Sequence, residues 1–184
     1  IYTLEDEIIV SHTKTGNLVV TADGGSTTRE IELYPYWNLV SLGISPNPTT
    51  VPEIISGMDI YYMYSFRAGE GPMSWDINRP SFLNYLQIID GLHGYWVKSS
   101  AQEIQTWNVE GVAVQVETPV SLYPGWNLVG YLPGSGDEID HALASLDTLF
   151  SYVIGYDNSG AVVRDWDRAR PSFLNTLSHF NPLS

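Results

Sequence analysis

The sequence predicts a mainly β chain with short helices, organised as two pseudo-repeats. Each is a small antiparallel β-barrel or sandwich, and the second lacks its closing strands. Three observations carry this expectation. Sixteen Gly and eleven Pro punctuate short runs rich in Val, Ile, Tyr and Trp, the pattern of many strands joined by tight turns. The run Leu33-Tyr34-Pro35-Tyr36-Trp37-Asn38-Leu39-Val40 returns from Leu122 to Val129 with one change, Gly125 for Tyr36. Arg79-Pro80-Ser81-Phe82-Leu83-Asn84 returns unchanged as Arg170 to Asn175. The first pair of blocks is offset by 89 residues and the second by 91, so two residues are inserted between them. Self-similarity at such a period is the signature of a repeated structural unit.

The elements of one unit follow in order from its punctuation. The Tyr-Pro turn fixes φ and removes a donor at the start of the Trp-Asn-Leu-Val strand. A short helix comes next: Thr50-Val51-Pro52-Glu53 reads as a capping box with Pro in the first turn, and Ser135-Gly136-Asp137-Glu138 reads the same way. Two strands follow, Ile60 to Phe66 with the segment at Trp75, and Phe150 to Tyr156 with Val162 to Trp166. Asp157-Asn158-Ser159-Gly160 is the hairpin turn of the second pair. The Pro-Ser-Phe-Leu-Asn block is expected to plug its Phe and Leu into the core. The first copy closes with Gly94 to Lys98 and Ile104 to Val109. The second has no such ending before Ser184, whereas the head of the chain has its pattern: Ile8-Ile9-Val10, a turn at Lys14 to Asn17, then Leu18 to Thr21. Residues 1–30 therefore read as a closing or donor segment, 31–119 as the first unit and 120–184 as the truncated second.

Charge and composition exclude several classes. Twenty-one acidic residues against eight basic ones give a formal charge of −13, a field that repels nucleic acid and anionic membranes. The absence of cysteine removes disulfides and thiolate metal sites. No apolar stretch approaches the roughly 18 residues of a membrane span.

Catalytic patterns are missing as well. There is no Gly-x-Ser-x-Gly and no phosphate-cradling loop, and His12, His93, His141 and His179 share no metal-ligand spacing. Asp137, Glu138 and Asp140 fit the first turn of a helix, where carboxylates complement the dipole. Asp157, Asn158, Asp165 and Asp167 offer weak oxygen ligands for calcium across a hairpin, against a plain turn reading. Trp37, Trp126, Trp75 and Trp166 recur in both copies and so read as packing residues, as does Trp107, which matches Leu18. Tyr62, Tyr64 and Phe66 share one face of a strand and, set against Val153, Gly155 and Asp157, look specific to the first copy. They are candidates for a sugar platform or a subunit contact.

The blocks Pro124 to Val129, Pro171 to Leu177 and Gly94 to Lys98 resemble a tandem β-rich repeat of secreted and cell-surface proteins of bacteria and some archaea, over essentially the whole chain. The resemblance implies an extracellular, non-catalytic building block and brings no catalytic residues. Joined to the missing closing strands, it leads to a filament subunit. Donor residues Ile8, Ile9, Val10, Leu18 and Val20 are expected to enter the incomplete second unit of a neighbour. The alternative is a carbohydrate-binding or adhesive module of a larger secreted protein, with extracellular glycans as partners.

Overall fold

The computed structural model describes residues 8–12, 18–22, 25–67, 69–115, 117–132, 136–146 and 149–180. In the first two stretches only the backbone pairing is described. The described residues are mainly β, in several antiparallel sheets with two short helices and no closed barrel among them.

Period-two alternation sets the facing of β3 (Ser26–Leu33): Ile31 and Leu33 are buried while Glu30 and Glu32 are exposed. Its partner is β9 (Gln105–Ala113), with Ile31 opposite Trp107, and β9 also pairs with β5 (Ile44–Pro46) to complete a three-stranded sheet. Gly111 is required where β5 crosses, since a Cβ there would collide with the Ser45 carbonyl. A second sheet holds four strands in the order β4 (Tyr36–Ser41), β8 (Gly94–Ser99), β6 (Ile60–Arg67) and β7 (Gly71–Asp76). The strand that arrives late in sequence, β8, is thus inserted between two earlier ones.

Seventeen buried apolar residues form the core of this half, among them Leu33, Val40, Met63, Trp75, Tyr95 and Trp107. Helix α1 (Val51–Ile54) closes it, and the Trp107 indole donates to the Ile54 carbonyl at 2.8 Å. The expected capping box is altered: the Thr50 hydroxyl bonds the Glu53 carboxylate instead of a backbone N–H.

In the second half, β10 (Asp137–Glu138) pairs with β13 (His179–Phe180), and β11 (Tyr152–Asp157) with β12 (Val162–Asp167). Its described core is three residues, Ile139, Trp166 and Leu177. Helix α2 (Ile139–Ala142) starts after Glu138, so Asp137 and Glu138 lie on a strand and only Asp140 is in the first turn. At the head of the chain, β1 (Ile8–His12) pairs with β2 (Leu18–Ala22) in a sheet of their own.

Two packing expectations fail. Phe82 is 77% exposed and Phe173 83%, with Leu83 and Leu174 exposed beside them. The repeated block is fixed by polar groups instead. The Asn84 amide takes the Asp76 N–H at 3.0 Å and donates to the Asp76 carbonyl at 3.2 Å, and Asn175 does the same at Asp167. Arg79 and Arg170 each donate forward to the carbonyl four residues on, Leu83 and Leu174. Trp75 and Trp166 are buried, but Trp37 and Trp126 are exposed. Both are held edge-on to a tyrosine outside the core.

Candidate functional site

The site begins with the recurring Tyr-Pro-x-Trp-Asn turn. Pro sets the first central residue, and the next must take positive φ, 72° at Tyr36 and 101° at Gly125. An asparagine locks each turn: the Tyr34 N–H donates to Asn38 Oδ1 at 2.8 Å and Asn38 Nδ2 returns to the Tyr34 carbonyl at 2.8 Å. The Tyr123–Asn127 pair repeats this at 3.0 and 2.9 Å. The following tryptophan is therefore aimed alike in both halves. Trp37 meets Tyr62 edge-on at 5.9 Å and 84°, and Trp126 meets Tyr152 at 5.9 Å and 84°.

The two places differ in what lies between. In the first half β8 runs between β4 and β6. Lys98 stands opposite both Trp37 and Tyr62, with its ammonium 5.1 Å from the Trp37 ring. In the second half no described strand lies between segment 126–129 and β11.

The directions of the edges follow from the hydrogen bonds. Leu39 spends both backbone groups on Asn158, away from β8, so Asn38 and Val40 face β8. In segment 126–129 the Leu128 carbonyl accepts from the Gly94 N–H at 3.3 Å, and the Gly130 N–H donates to Leu92 at 2.8 Å. Val129 between them turns its backbone groups to the open side. Across the opening, the Arg168 N–H donates to the Ser151 carbonyl, which commits alternate residues to β12 and turns Tyr152, Ile154 and Tyr156 toward the vacant place. Among the described residues these groups have no backbone partner. A groove of about 560 Å³ lies here, lined by Val129, Tyr131, Ile154, Tyr156, Leu177 and Phe180. Val129 is 42% exposed in it, whereas Val40 is 2% exposed under β8.

Acidic groups of the β11–β12 hairpin are held charged. Asp157 accepts from the Ser159 hydroxyl, Arg164 and the Gly160 N–H, which bring its carboxyl down to about 2. Arg170, the Tyr152 hydroxyl and Thr176 hold Asp165 at about 2. Asp167 accepts from the Ala169 N–H, and Asn158 points to β4. The four oxygen donors considered for calcium thus face separate partners, and no group of three metal-binding side chains occurs among the described residues.

Tyr62, Tyr64 and Phe66 are half-buried on β6. Their register partners in the second half are Tyr152, Ile154 and Tyr156, not Val153, Gly155 and Asp157. The β11–β12 loop is one residue longer than the β6–β7 loop, and this shifts the correspondence. Two of the three aromatics therefore recur. His93 bonds Asp90 at 2.9 Å and His141 bonds Asp137 at 2.6 Å, both partners close in sequence. The donor residues Ile8, Ile9, Val10, Leu18 and Val20 lie on β1 and β2, paired with one another, and their side chains fall outside the described residues.

Sequence reading missed the role of Asn158. Its amide accepts from the Leu39 N–H at 2.8 Å and donates to the Leu39 carbonyl at 3.1 Å, so one side chain acts as a strand on the free edge of β4. Tyr156 supports this contact, 5.0 Å from Trp96. No local signal marks a partnership 119 residues apart. Comparison of the chain with protein families, curated proteins and solved structures finds no match.

Proposed function

We propose that this chain is a non-catalytic structural subunit of an extracellular or cell-surface filament. In this reading it comprises two copies of one sandwich-like unit, and the N-terminal strand of one molecule enters the open position in the second half of the next. The observation that carries the reading is the pair of backbone edges that have no backbone partner among the described residues, Val129 on one side and Tyr152, Ile154 and Tyr156 on the other. They are spanned by the same Trp–Tyr contact that brackets β8 in the first half. Such edges recruit a strand because every unpaired N–H and C=O is a ready hydrogen-bonding site.

Matched bonds elsewhere support the two-copy reading. The Val51 N–H donates to the Gln87 carbonyl as the Ile139 N–H does to Ser178, and the Leu86 N–H to Ser74 as the Leu177 N–H to Asp165. Burying Ile8, Val10, Leu18 and Val20 is worth about 1.5–3 kcal/mol each before ordering costs. Together that rivals the whole stability of a typical domain, about 5–15 kcal/mol. Head-to-tail contacts of this kind do not close on themselves and so propagate.

Native mass in solution tests the reading. The full chain is expected to form a ladder of multimers, and a chain lacking residues 1–24 to stay monomeric. A monomeric full chain would overturn the proposal in favour of the glycan-binding or adhesive module.

A further inference from the structure

In the first half, β8 and β9 are consecutive strands that belong to different sheets: β8 lies between β4 and β6, and β9 between β3 and β5. Among the described residues the second half is open in both layers. The place of β8 is the groove beside β11. The place of β9 would be along residues 117–122, which align with the end of β3 at the 89-residue offset yet form no strand. Leu122 is 43% exposed there, whereas its counterpart Leu33 is 0% exposed against β9.

At the offset of 89 residues the two strands at the head of the chain fall on these places, Ile8 to Val10 on Val97 to Ser99 at the end of β8, and Leu18 and Val20 on Trp107 and Val109 of β9. Yet β1 and β2 are bonded to each other, from Ile8 opposite Ala22 to His12 opposite Leu18. A hairpin paired in this way cannot occupy two layers at once.

We infer that the β1–β2 hairpin opens on assembly, β1 entering between segment 126–129 and β11 of a second copy while β2 pairs with that copy's residues 117–122. This rests on the filament reading and specifies its interface. The intact hairpin is then the resting form of the donor, in which each strand satisfies one edge of the other. Opening it exchanges those bonds for two new ladders, and residues 117–122 become a strand only in the assembled state.

A covalent clamp tests the inference on the full chain, which has no cysteine of its own. Ser11→Cys with Val19→Cys joins residues that stand opposite each other and are not among the donor residues. Oxidised glutathione closes the bridge, mass spectrometry verifies it, and light scattering follows assembly beside the unsubstituted chain under the same oxidant. The expected result is assembly of the reduced protein and loss of assembly on oxidation. Assembly of the oxidised protein as readily as the reduced one would overturn the inference, leaving the filament reading with an intact hairpin as donor. An unsubstituted chain that stays monomeric would remove the filament reading and the inference together.

Discussion

Replacing Asn158 by alanine removes two hydrogen bonds from the edge of β4 at once, those to the N–H and the carbonyl of Leu39. A net hydrogen bond contributes about 0.5–1.5 kcal/mol, so the pair is worth about 2 kcal/mol. For a chain of 184 residues, 1 kcal/mol moves the melting temperature by about 2–4 °C, which gives an expected fall of roughly 4–8 °C. The same loss releases the Tyr156–Trp96 contact, so the variant should show the two halves melting apart where the parent shows more overlap. Calorimetry reads both effects. Asn158→Asp is a sharper control. Its carboxylate still accepts from Leu39 N–H but faces the Leu39 carbonyl with no donor, so it should lose at least as much as alanine. Ser159→Ala, in the same loop but bonded only to Asp157, should move the midpoint far less. A fall below about 1 °C in both Asn158 variants would refute the idea that this amide couples the halves.

Asn84→Ala and Asn175→Ala should each cost about 1–3 kcal/mol in denaturant unfolding, because each leaves an aspartate N–H without its partner, while the aspartate carbonyl keeps the N–H of Arg79 or Arg170. Phe82→Ala and Phe173→Ala should stay within about 0.5 kcal/mol, as expected of exposed side chains. Tyr36→Gly relieves a positive φ of 72° that costs an L-residue about 1–2 kcal/mol, offset by the greater freedom of glycine when unfolded. Its denaturation midpoint should be unchanged or higher, whereas Tyr36→Val should lower it. The Asp157 and Asp165 carboxyls sit at about 2, below the ordinary 3.9 of the unfolded chain. Their contribution is therefore complete above that ordinary value and lost as pH falls from about 4 to 2. Arg170→Gln should raise the carboxyl pKa of Asp165 toward the ordinary range, as a carbon-13 titration would show.

What the sequence made legible is what it repeats. The two Trp-Asn turns and the Trp75 and Trp166 positions could be placed before any coordinates, since each element is specified within a few residues by Pro, Asn and alternation. Phe82 and Phe173 stay outside the core because the polar groups of the same block outweigh their hydrophobic character; Asn84 and Arg79 do the anchoring. The match of Tyr62 and Phe66 to aromatics in the second half was hidden by one extra loop residue, which reverses every facing in a period-two element. Asn158 was out of reach altogether, because a side chain that completes a distant strand edge leaves no periodic trace in sequence.

Occupancy of the groove is most directly tested by nitrogen-15 spectra of the chain lacking residues 1–24, titrated with an unlabelled peptide of residues 1–24. Saturable one-to-one binding is expected, with resonances of 117–122, Val129 and Tyr152 to Tyr156 moving and their amides becoming slow to exchange, while the core around Trp107 stays in place. Absence of binding at millimolar peptide, or shifts confined to the first half, would contradict it.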